Sequence, residues 1–72
     1  MQYPTYAEVR RANREQLARW YRFLPSPGSA AVGKPEFEET LAREAETMNL
    51  IIDRFYSLGG MSPSISKQIG WE

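Results

Sequence analysis

The chain has no cysteine and no histidine. Without cysteine there is no disulfide and no thiolate metal site. Without histidine, the commonest general base and the commonest metal ligand are both missing. No apolar run approaches the length needed to span a bilayer, and no secretory signal is recognisable. The protein is therefore expected to be cytoplasmic, with no membrane, metal or cofactor. Its 72 residues allow one domain, over 1–72, with a thin core. With neither disulfide nor metal as a staple, self-association is the remaining device, and a homo-oligomer is expected.

What is present is unevenly placed. The net charge is zero, yet residues 1–34 hold six basic side chains against two acidic ones, and residues 35–54 hold two basic against six acidic. Acids at helix starts and bases at helix ends complement the helix dipole and account for part of this. The remainder gives the N-terminal half a basic face suited to an anion.

Local signals predict an all-α fold. Thr5-Tyr6-Ala7-Glu8 reads as a capping box, starting a helix over about 6–24. Tyr6, Val9, Leu17, Trp20 and Leu24 share one face of it. Asn13 interrupts that face; it either pairs in the core, setting register, or faces a ligand, and pairing is the expectation. Pro25 and Pro27 stop the helix, and residues 25–34 form a loop. Pro35 suits the first turn of a second helix over about 35–58, which ends at Gly59-Gly60. Its apolar stripe reads Phe37, Leu41, Ala45, Met48, Ile52 and Phe55, a near-heptad seam for antiparallel packing. Leu50 lies nearly opposite that stripe and is expected on a second packing surface. A short third helix over about 63–69 is capped by Ser62, with Pro63 first, Gly70 last, and Ile65 and Ile69 on one face. The expected architecture is an antiparallel helical hairpin with a short C-terminal helix.

Two motifs invite a functional reading. Gly28-Ser29-Ala30-Ala31-Val32-Gly33-Lys34 has the spacing of a phosphate-binding loop. However, Pro35 stands where a magnesium-binding hydroxyl belongs, and no strand precedes it. A turn-forming linker, or a looser anion site using Lys34, fits better. Leu58 to Ile69 has the form of the turn and reading helix of a helix-turn-helix, but Lys67 is its only cation, and DNA affinity rests on several phosphate contacts. DNA binding ranks third. Catalysis is not expected, because Glu44 and Asp53 near the seam have no matched partner.

The most informative segment is Leu17 to Gly28, where arginines and aromatics alternate at a helix end. Arg and aromatic side chains serve protein hot spots and stacked, phosphorylated ligands alike. Arg19, Arg22 and Lys67 are expected to contact phosphate, Ser66 to donate to it, and Tyr21 and Trp71 to stack. Together with Tyr3-Pro4, Glu8-Val9, Pro35-Glu36-Phe37-Glu38 and Ile65 to Glu72, this segment resembles short accessory proteins of tailed phages. The resemblance implies a small protein made in the host cytoplasm that acts by binding. The expected function is counter-defence by sequestering an anionic, nucleotide-like small molecule. The alternative is an inhibitor that docks on a host protein through the same Arg-aromatic patch.

Overall fold

A computed structural model describes residues 2–70, and every regular element among them is helical. The order is α1 (Tyr6–Arg11), α2 (Arg14–Phe23), a 3₁₀ turn (Ser29–Ala31), α3 (Phe37–Ser57) and α4 (Pro63–Ile69). None of these helices is long and apolar enough to cross a membrane. α1 and α2 both pack against α3, and α4 packs against α2.

α1 starts as its sequence dictates. The Glu8 amide donates to Thr5 Oγ1 at 3.2 Å, and the Thr5 amide donates to Glu8 Oε1 at 2.9 Å. These two bonds hold the Glu8 carboxyl below its ordinary pKa. The helix expected over 6–24, however, is two helices. Ala12 and Asn13 are extended, and Asn13 is the N-cap of α2, accepting from the Gln16 amide at 2.8 Å. Asn13 is exposed and is not paired in the core. A short amide side chain bonds the backbone three residues ahead more readily than it continues a helix.

Val9, Leu17, Trp20 and Leu24 are buried together. Tyr6, expected among them, is 40% exposed and donates its hydroxyl to Glu46 Oε2 at 2.7 Å. An amphipathic ring can cover a core edge while its polar tip stays wet.

The second predicted helix begins at Phe37, with Pro35 in the turn before it. Its buried face also differs from expectation. Thr40, Thr47, Ile51 and Phe55 face inward, while Leu41 is exposed and Ile52 is half-buried. The inward face is thus turned by roughly a quarter of a revolution, about one residue at 100° each. Threonine makes this possible: Thr47 Oγ1 donates back to the Arg43 carbonyl at 3.0 Å, leaving its methyl for the core. Leu50, expected to point away, is half-buried and packs against the core.

α3 ends in a Schellman motif. The Gly60 amide donates to the Phe55 carbonyl at 2.9 Å and the Gly59 amide to Tyr56 at 3.1 Å, the 6→1 and 5→2 bonds of that motif. Gly59 has φ +114°, which side chains rarely adopt. Arg14, from the first turn of α2, donates Nε to the Gly60 carbonyl at 2.7 Å and Nη2 to Gly59 at 3.3 Å. α4 has the expected bounds. Ser62 Oγ accepts from the Ile65 amide at 3.2 Å, Gly70 ends the helix, and Ile65 and Ile69 are buried.

Candidate functional site

The expected ligand residues fall on two surfaces. Arg19 faces α4: its Nη2 donates to the Gln68 carbonyl at 3.2 Å and lies 3.8 Å from Glu15 Oε1. Lys67 and Ser66 lie beside that contact on α4, Lys67 exposed and Ser66 half-buried. Tyr21 faces α3 instead, its ring centroid 5.6 Å from that of Phe55. A hydrogen bond with Tyr56 raises the Tyr21 pKa above the ordinary 10.0. The Arg22 guanidinium sits over the Phe23 ring at 5.3 Å, and Phe23 is 44% exposed. Trp71 lies outside the described residues. So the structure brings Arg19 beside the end of α4 and sets the Tyr21 ring against Phe55 of α3.

A second site lies elsewhere. A cleft of about 790 Å³ opens between residues 2–6, the 3₁₀ turn and the N-terminal half of α3. That volume is in the range of small-molecule sites. Glu36, Thr40, Arg43, Glu44 and Thr47 form one wall, repeating at helical spacing. Lys34, Tyr3 and Tyr6 also line it.

Long-range hydrogen bonds shape this cleft. Tyr3 donates its hydroxyl to the Pro25 carbonyl at 2.6 Å, fastening the N-terminal segment. Burial, and then the charge of Glu44, raise the Tyr3 pKa above the ordinary 10.0. The Gly28 amide donates to Glu44 Oε1 at 2.9 Å, which seats the 3₁₀ turn against α3. Gly28 has φ +80°, and a Cβ there would stand 3.1 Å from Leu41 Cβ and 3.2 Å from Phe37 Cε1. Glycine is required on both counts.

Three cleft groups are uncommitted. Lys34 and Arg43 form no ion pair, since Arg19–Glu15 is the one pair within 4.0 Å among the described residues. Thr40 is 9% exposed, and no described residue hydrogen-bonds its hydroxyl, which opens on the cleft. Two cations, two carboxylates, a waiting hydroxyl and phenol rings are groups that hold a polar ligand. Among the described residues no cluster of three or more acids could hold a metal ion.

The sequence reading weighed Lys34 as a looser anion site against a turn-forming linker, and passed over Tyr3, Thr40 and Arg43. The available signal was the polar series Glu36, Thr40, Arg43, Glu44 and Thr47 at helical spacing, which the apolar stripe drew attention away from. Compared with protein families, curated proteins and solved structures, the chain matches none.

Proposed function

We propose that this protein is a non-catalytic, phage-type counter-defence protein that sequesters an anionic, nucleotide-like small molecule in the host cytoplasm. The observation that carries this reading is the cleft, with Lys34 and Arg43 unpaired and the Thr40 hydroxyl unpartnered inside it. Uncommitted cations attract a phosphate, and a tyrosine ring offers a stacking face to a base. The cleft takes precedence over the Arg19–Lys67 surface because Arg19 is already engaged with Glu15 and Gln68.

The proposal includes an antiparallel pairing of α2 with α3 and self-association. The Cα radius of gyration is 12.9 Å, against about 11 Å for a compact chain of this length. Leu41 and Tyr56 stay exposed on α3. An oligomer should scatter light with a mass above 8.3 kDa.

Thermal-shift measurement against mononucleotides and cyclic nucleotides tests the reading. A ligand at a hundredfold excess over its Kd should add about 2.7 kcal/mol of apparent stability. A panel that leaves the midpoint unmoved, at concentrations up to millimolar, would refute it. The second reading, docking on a host protein, is favoured by exposed Phe23 beneath Arg22, since aromatic and Arg side chains dominate protein hot spots. It predicts that Phe23→Ala abolishes co-purification of a host protein and leaves nucleotide binding unchanged.

A further inference from the structure

The cleft's own charges restrict which anions it can take. Its ionisable lining is Lys34 and Arg43 against Glu36 and Glu44, a net charge of zero. Lys34 ends the loop, Glu36 stands at the N-cap of α3, and Arg43 and Glu44 lie within α3, so the cations share one lining with an equal number of carboxylates. Glu44 cannot swing away without breaking its bond to the Gly28 amide.

From this charge balance we infer that the cleft selects a ligand with one phosphate or phosphodiester and excludes polyphosphates. The inference rests on the nucleotide-like reading above. Lys34 and Arg43 neutralise one phosphoryl group through charge-assisted hydrogen bonds. A second or third phosphate finds no further cation in the lining and meets Glu36 and Glu44, and like charges at such range repel. The carboxylates are not wasted on a singly phosphorylated ligand, because ionised carboxylates only accept hydrogen bonds and a base amino group or ribose hydroxyl donates. Thr40, at the middle of the wall, completes the set. Its hydroxyl has no partner among the described residues and reaches the cleft, where water or a ligand can bond it.

Calorimetric titration with adenosine and uridine 5′-mono-, di- and triphosphates, and with the 3′,5′-cyclic monophosphates, tests this at fixed ionic strength and without magnesium. The singly phosphorylated or cyclic member of one series should bind at least tenfold more tightly than its triphosphate. Glu36→Gln, which gives the lining a net charge of +1, should shrink that gap to about threefold or less. Thr40→Val should weaken binding about tenfold while leaving the melting midpoint of the free protein unchanged or raised, and Thr40→Ser should restore binding. A purely packing role for Thr40 would not give that split. Affinity that rises with each added phosphate overturns the inference while leaving the nucleotide-like reading intact. Binding to no member of either series overturns both. A phosphate-number preference that survives Glu36→Gln unaltered also overturns it, because the carboxylate then plays no part.

Discussion

Arg14 is the clearest place to test how this thin fold holds together. From the sequence it belongs to a basic face, free to meet an anion. In the structure it closes the far end of α3, donating to the carbonyls of Gly60 and Gly59. A hydrogen bond from a charged donor contributes about 1.5–3 kcal/mol net, and the 2.7 Å bond to Gly60 falls in that class. The 3.3 Å bond to Gly59 adds less. A cation at a helix C-terminus adds roughly 0.3–1 kcal/mol. Against this, Arg14 occupies the first turn of α2, where a positive charge costs a few tenths of a kcal/mol. The balance is about 2–3 kcal/mol. For a domain this small, each kcal/mol moves Tm by about 4–8 °C, so Arg14→Ala should lower Tm on the order of 10–20 °C. Arg14→Lys keeps the charge but loses the planar fork and should recover about half. Circular-dichroism melts give the size of the effect, and hydrogen exchange at the Gly59 and Gly60 amides gives its location. A change under 0.5 kcal/mol, or a loss without faster exchange at those glycines, would refute the assignment of Arg14 as the end-cap of α3.

Asn13→Ala gives a test of sign. If α1 and α2 are separate, it removes a cap and costs about 1 kcal/mol; a continuous helix would gain from alanine's higher propensity. Gly28→Ala should cost about 1–3 kcal/mol, from its positive φ and from crowding by Leu41 and Phe37, and should narrow the cleft. Stability should also depend on pH at both extremes. The Tyr3 and Tyr21 pKa values are raised above 10.0 in the fold, so their contribution is complete below about pH 10 and is lost as pH rises beyond it. The Glu8 pKa is lowered from 4.5, so its contribution is present above that value and is lost as pH falls below it. Melting midpoints from pH 3 to 11 should therefore form a plateau with two falling limbs, and Tyr3→Phe should soften the alkaline one.

The features legible in the sequence were those that a few neighbouring residues decide. Thr5 with Glu8, Ser62 with Pro63 and Gly70, and Gly59 with Gly60 each satisfy helix-end groups locally, so their positions are read directly. Asn13 was misread because the same residue type serves a core register position and an N-cap, and the local bond to Gln16 won. The buried face of α3 was misread because hydropathy ranks Leu41 above Thr40 and Ile52 above Thr47. Thr47 bonds its own helix carbonyl and so behaves as a small apolar residue, and no hydropathy scale carries that context. The cleft was least legible. It joins Tyr3 to Pro25 and Gly28 to Glu44 across 22 and 16 residues, and contacts at such separation leave no local pattern.

The brevity of α1 has a dynamic consequence. At six residues it is far below the roughly 12–15 that an isolated helix needs to persist in water. Val9, the Tyr6–Glu46 bond and the Tyr3–Pro25 bond are what tether it and the segment before it. The cleft lining of residues 2–6 thus runs straight into this short helix. Such a unit opens at lower free energy than the whole molecule does, so that lining can loosen by local opening without global unfolding. Ligand held against residues 2–6 would protect that segment and α1 first. It would slow amide exchange in α1 while the exchange of α3, already limited by the core, stayed as it was.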